Sequence, residues 1–273
     1  MKIIDLEERK ILQLEMMKEV DSFCRKNNLT YYLAFGTLLG AVRHKGYIPW
    51  DDDVDIMMPR KDYEILERYF PFNGKYRFLT RNNTENYPYA YGKLIDIRTI
   101  KEEPLRSKYQ VIGIDIDIFP IDNYPDNIDE AKEWCQTITL TQRRLNWTFA
   151  QFSRGRSPLR TIVKNLIIAS FHFLDETGIC SVMKLVSKID KISQKYNVID
   201  TNYCGISSIS TYGVRKRNRK EVFKSVIEVD FEGYKFLAPS GYDEYLSDIY
   251  GDYMQLPSIE ERKTHHISII YWK

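Results

Sequence analysis

Apolar residues recur every three to five positions between residues 5 and 27, at Leu6, Ile11, Leu14, Met17, Val20 and Cys24, with charges between them. That period belongs to a helix with one buried stripe, and Asn27-Asn28 ends it. A short apolar run over 31–35 predicts a strand, followed by Gly36-Thr37, a helix over 37–44 and a turn through 45–50. The chain then enters a strand over 54–58, which Pro59 stops, and a helix is expected over 61–70. Strand-like runs follow at 76–80 and 92–97, and residues 111–118 alternate apolar and acidic side chains. From 129 to 200 strand signals fade and helices are predicted over 129–150, 159–174 and 181–196, with a loop at 153–158. Segment 159–174 reads as a buried helix of a helical subdomain. Its other reading is a membrane-surface helix, because Arg160 and Lys164 border an apolar face. The last third predicts a strand over 205–210, a basic run at 215–220 that reads as a solvated face or else as a landing site for an anionic substrate, a hairpin at 231–237 around Gly233, and a helix over 241–250 stopped by Gly251.

Composition narrows this picture only a little. The 273 residues carry 40 Lys and Arg against 38 Asp and Glu, a net +2, too balanced to argue for a nucleic-acid partner. The four cysteines have no CxxC spacing, which favours a reduced, cytoplasmic protein without structural zinc. The first ten residues, MKIIDLEERK, lack the apolar core of a signal peptide. No apolar run approaches the roughly 18 residues needed to cross a bilayer. The expectation is a cytoplasmic protein, peripheral at most to the inner face of the membrane.

The chemistry concentrates in residues 31–62. Asp53 and Asp55, two apart on an incipient strand, project from one face. Paired carboxylates repel unless a cation or a proton sits between them, and a hard divalent cation that shares its shell with substrate phosphates suits them. Gly36-Thr37 opens a helix and leaves backbone N–H groups free for an anion. Asp115 and Asp117 share a face of the later strand. If that strand lies beside 54–58, three or four carboxylates converge, enough for one or two divalent cations gripping a phosphate. An EF-hand is excluded, since counting from Asp51 places Ile56 at the glycine position and Asp62 at the bidentate glutamate position. A DxD glycosyltransferase usually has a nucleotide-binding βαβ unit upstream, for which some fifty residues leave little room. A nucleotidyltransferase-like site asks for Gly-Ser/Thr after a strand, DxD on the next strand and a later third carboxylate. Gly36-Thr37, Asp53/Asp55 and Asp117 supply these in order.

The run GTLLGAVRHKGYIPWDDDVDIMMPRKDY, the later IDIDIFPID and the C-terminal YLSDIYGDYMQLP…RKTHH resemble the sequence blocks of the LicD family, the phosphocholine transferases and their fukutin-related relatives. The resemblance implies an α/β (α+β) nucleotidyltransferase-like fold: a mixed β-sheet core flanked by helices, with a helical insertion. On that basis residues 1–125 form the catalytic core, 126–200 the helical subdomain, and 201–273 a segment that completes the core and the acceptor cleft. It further implies Mg²⁺-dependent (or Mn²⁺-dependent) transfer from CDP-choline or a related CDP-alcohol to a hydroxyl of a glycan or lipid-linked saccharide, releasing CMP. Asp53, Asp55 and Asp117 match the catalytic and metal-binding positions. Gly36 and Thr37 are expected on a donor phosphate, and either Asp117 or Asp115 as the base. Arg43, His44 and Lys45 are candidates for the diphosphate or, equally, helix-end cations. His265 and His266 are candidates for the acceptor cleft. A choline head group calls for ring faces, and Tyr31, Tyr32, Tyr87, Tyr89, Tyr91 and Trp50 are the candidates. The other readings are transfer of a nucleotidyl group, a nucleotide-sugar glycosyltransferase and a non-catalytic nucleotide-binding module.

Overall fold

The computed structural model describes all residues except 1, 103, 104, 110, 112, 153, 155, 156 and 263–268. The chain opens with α1 (Leu6–Lys26), whose N-cap Asp5 accepts from the Glu8 N–H, with Glu7 and Glu8 in the first turn and Arg25 and Lys26 in the last. These caps and charges complement the helix dipole. Then come β1 (Tyr32–Leu33), α2 (Phe35–His44), β2 (Asp55–Pro59), α3 (Arg60–Tyr69), β3 (Tyr76–Leu79), β4 (Gly92–Asp96) and β5 (Thr99–Lys101). The long β6 (Ile114–Tyr124) leads into α4 (Ile128–Phe149), α5 (Pro158–Glu176) and α6 (Val182–Ser193). The chain returns through β7 (Tyr203–Ile206), β8 (Asn218–Arg219), the hairpin β9 (Val226–Phe231) and β10 (Tyr234–Pro239), α7 (Tyr242–Tyr250) and β11 (Ile270–Trp272).

The fold is the expected mixed α/β arrangement. The main sheet runs β1-β2-β6-β4-β3, with β7 and β8 added beyond β6. Only β2 and β6 run parallel among these pairs, and their register sets Asp55 beside Asp117. On the other side of β6, antiparallel β4 sets Lys93 opposite Asp117. The sheet face away from these polar residues carries Ile56, Met58, Ile116 and Ile118, all buried in the main core with Met16, Met17 and Val20 of α1.

Strand β6 runs past the expected end at 118 and straight through Pro120. A central strand rarely tolerates proline, because it lacks a ladder donor. The Asp117 N–H points to β2, donating to Val54 O, so a donor at position 120 would point the opposite way. There, pairing with β4 stops at Ile118 and pairing with β7 starts only at Ile121. The missing N–H falls in that gap.

Helices α4 and α6 share a second core of Trp134, Ile138, Leu145, Val182, Leu185, Val186 and Ile189, closed by Tyr124 of the sheet. Helix α5 does not join it as a buried element. Of its 19 residues only Ile168 and Asp175 are buried, which overturns the expectation of a buried helix over 159–174. A mostly apolar segment does not by itself say whether its side chains face the core or the outside.

Candidate active site

The acidic turn before β2 sorts its carboxylates by direction. Asp52 turns inward, where Arg9 Nη1 of α1 meets its Oδ2 at 2.5 Å and both side chains are buried. Gln13 of α1 donates to the Asp52 and Asp115 carbonyls. Helix α1 thereby fixes the backbone from which the remaining acids project. Asp51, Asp53, Asp55 and Asp117 all line one cleft of about 960 Å³, a volume suited to a substrate of nucleotide size.

Four carboxylates at one cleft disfavour each other's ionisation. Burial, then Asp53, pushes Asp51 up to about 7. Burial, then Asp53, Asp117 and Asp51, holds Asp55 well above the usual carboxylate range. Asp117 is raised by burial and by Asp115, against the opposing pull of Lys93.

Lys93 is the residue that sequence reasoning missed. Its ammonium lies 2.5 Å from both Asp115 Oδ2 and Asp117 Oδ1, while Lys101 Nζ meets Asp115 Oδ1 at 2.6 Å. Burial alone would raise Asp115, but the two lysines outweigh it and keep its carboxyl well below the ordinary range. Asp115 is therefore a buried ionised anchor outside the cleft lining, whereas Asp117 reaches the cleft with a side chain 22% exposed. A lone lysine in the apolar run 92–97 was the available signal. Its meaning depends on a cross-strand register that the local sequence does not contain.

The N-terminus of α2 borders the carboxylates. A Cβ on Gly36 would come within 2.5 Å of Asp51 Oδ2, so glycine there admits the close approach of helix start and acid. Phe35 just before it has φ 41°, a conformation L-residues rarely adopt and which concentrates at working sites. Packing holds it, with ring centroids 5.8 Å from Phe119 and 5.5 Å from Tyr212. Gly36 lines the cleft. Thr37 is buried, and its hydroxyl accepts the Asp55 N–H at 2.9 Å, joining α2 to β2.

The three helix-end cations separate. Arg43 lines the cleft but donates to the carbonyls of Tyr253 and Gln255. His44 accepts from Arg43 Nε and stands edge-on to Trp50; burial and Arg43 lower its pKa. Lys45 caps α2 at φ 59° and is not among the lining residues. His265 and His266 lie outside the described residues.

Of the aromatic candidates, Tyr91 and Trp50 line the cleft. Tyr31, Tyr32 and Tyr87 are buried in the cores, and Tyr89 borders a separate groove with Arg60 and Arg81. The cleft instead recruits rings scattered along the chain. Tyr91–Phe119, Phe119–Phe35, Phe35–Tyr212 and Tyr212–Tyr250 touch in succession, with centroids 4.5, 5.8, 5.5 and 5.7 Å apart. They form one continuous aromatic wall.

Among the described residues no three His, Cys, Asp or Glu side chains stand gathered to hold a metal ion by themselves. The donor set is nevertheless the kind Mg²⁺ uses, since that ion commonly takes one or two carboxylates and completes its shell with water and substrate phosphates. Asp55 and Asp117, side by side across β2 and β6, fit that pattern.

In this cleft a carboxylate-bearing parallel strand pair stands beside a helix that starts at a glycine. Residues 28–151 match the LicD/FKTN/FKRP nucleotidyltransferase domain, so the chain carries a LicD-family domain over that stretch. It is 29% identical to the lipopolysaccharide cholinephosphotransferase LicD of Haemophilus influenzae, over 99% of each chain. It is also 34% identical to an uncharacterized protein of Rickettsia prowazekii over 42% of this chain and 47% of that one. A shorter match, 34% identical, links 20% of the chain to 5% of mannosyltransferase regulator 4 of Saccharomyces cerevisiae.

Proposed function

We propose that this protein transfers phosphocholine from CDP-choline to a hydroxyl of a cell-surface glycan or its lipid-linked precursor, releasing CMP. The observation that carries the reading is Asp55 beside Asp117 across β2 and β6, in a cleft also lined by aromatic rings. The likeness to LicD along the whole chain supports the choice of phosphocholine. Asp53, Asp55 and Asp117 are the residues to hold Mg²⁺ or Mn²⁺. Bound there, the ion supplies charge neutralisation for the donor diphosphate and the departing CMP.

The protein's own groups do the positioning, which dominates phosphoryl transfer. The opening N–H groups of α2, beside Gly36, orient a donor phosphate oxygen. The aromatic wall takes the quaternary ammonium through ring faces. Asp117 accepts the proton of the acceptor hydroxyl as that oxygen bonds to phosphorus and the bond from phosphorus to the CMP oxygen breaks. Asp115 stays ionised between Lys93 and Lys101 and positions Asp117 through the shared Lys93.

The test is a donor panel of CDP-choline, CDP-ribitol, CDP-glycerol, CDP-ethanolamine and a UDP-sugar with an oligosaccharide acceptor, reading CMP release and acceptor mass. CMP release with gain of phosphocholine, fastest from CDP-choline, is expected. Turnover of the UDP-sugar alone, or transfer of a cytidylyl group, overturns the proposal, as does nucleotide binding without CMP release.

A further inference from the structure

We propose that α5 is a membrane-surface helix that seats this protein on an anionic lipid bilayer. A helix on the outside of a water-soluble protein ordinarily turns its apolar stripe inward. Helix α5 does the reverse. Leu159, Leu166 and Phe173 are 73%, 65% and 65% exposed, and Ile162 and Val163 are also exposed. At about 100° per residue, these five fall on one arc, interrupted only by Ser170. The opposite side carries the helix's polar attachments. Asp175 pairs with Arg106 and accepts from the Tyr109 hydroxyl, and the His172 ring meets the Ala150 carbonyl.

Charge selects the occupant. Residues 143–195 contain ten Lys and Arg against three acidic residues, a net +7, so the remainder of a chain totalling +2 carries −5. All three acids are paired with cations from outside that segment: Asp175 and Glu176 with Arg106 and Lys108, and Asp190 with Arg60 and Arg81. Arg160 and Lys164 stand exposed on α5 itself, and α6 adds an exposed row of Lys184, Lys188, Lys191 and Lys195. An exposed apolar face on a helix that itself carries Arg160 and Lys164, within a segment of net +7, matches an anionic lipid surface. A second copy of this chain is the poorer fit, because a two-fold contact sets the same +7 segment against itself. Among the described residues no helix is long and apolar enough to cross a membrane. The charges at 160, 164, 175 and 176 fit a helix lying in the interface instead.

The experiment is co-sedimentation of the full chain with phosphatidylcholine vesicles containing roughly 30% phosphatidylglycerol, alongside pure phosphatidylcholine vesicles and light scattering of the protein alone. The wild type is expected to pellet with the anionic vesicles. Binding should weaken about tenfold or more on pure phosphatidylcholine and in the double variant Leu166→Glu/Phe173→Glu. That variant should keep its melting temperature, because both side chains are exposed. Failure of the wild type to pellet, or wild-type pelleting by the double variant, overturns the proposal. So does a wild-type dimer that the variant converts to monomer without any vesicle binding.

Discussion

Replacing Lys93 with Met keeps an unbranched apolar stem only one atom shorter and deletes the charge from between two carboxylates. Removing one partner of a buried ion pair typically costs about 3–5 kcal/mol, because the other charge stays buried and unpaired. The geometry decides where in that range the variant falls. Asp115 retains Lys101 at 2.6 Å, so it keeps a counter-charge. Asp117 loses its contact with Lys93 but is 22% exposed and can regain some hydration, which points to the lower end, about 3 kcal/mol. In a chain of this size that lowers the melting temperature by roughly 6–12 °C. The pH dependence is the sharper readout. Without Lys93 the folded-state pKa of Asp117 rises further, and a carboxyl raised on folding contributes stability at low pH that is lost as pH climbs through its folded value. The gap between wild type and variant should therefore be widest near pH 8 and narrow towards pH 5. Urea titrations at both pH values measure it. A gap below about 1 kcal/mol at pH 8, or one that grows towards acid, refutes the claim that Lys93 neutralises Asp117.

Three further outcomes are expected. Burial, helped by neighbouring acids, pushes Asp51 up to about 7 and raises Asp55 and Asp117, so holding these carboxylates ionised erodes stability as pH rises from about 4 to 7. Mg²⁺ should therefore raise the melting temperature more at pH 8 than at pH 5, and equal shifts at both would contradict that. Truncating the aromatic wall with Tyr212→Ala should raise KM for CDP-choline about 3- to 30-fold with a smaller effect on CDP-ethanolamine, and equal effects on the two donors would rule out ring-face recognition. Lys216, fully buried, has its pKa lowered to about 7 by desolvation. Between that value and the unfolded one the unfolded chain binds more protons, so stability should rise with pH from 7 to 10. Lys216→Met should flatten the rise and add up to roughly 5 kcal/mol at pH 7, whereas a variant that still follows the wild-type pH slope would assign the slope to other groups.

Much of the site was legible because its parts are local. The apolar run into Gly36-Thr37, the alternation at Asp53/Asp55 and at Asp115/Asp117, and the amphipathic period of α1 each depend on neighbours a few residues away. The structure sets these pieces around one cleft, with Thr37 behind the Asp55 backbone and Asp115 behind Asp117. What the sequence concealed is non-local. Sending Asp52 to Arg9 while its neighbours turn to the cleft depends on a helix forty residues earlier. Lys93 acquires its role only through the register of β4 on β6. The wall of Phe35, Tyr91, Phe119, Tyr212 and Tyr250 is drawn from five separate stretches of chain. The pairing of β5 with β11 joins segments separated by most of the molecule, so neither strand carried a local signal strong enough to predict it.

The most direct test of the metal-assisted transfer is single-turnover phosphocholine transfer from CDP-choline by wild type and Asp55→Asn, each with Mg²⁺ and with excess EDTA. The account predicts transfer only by the wild type with Mg²⁺, from a variant and parent with matching circular dichroism. Undiminished transfer in EDTA, or by Asp55→Asn, would contradict it.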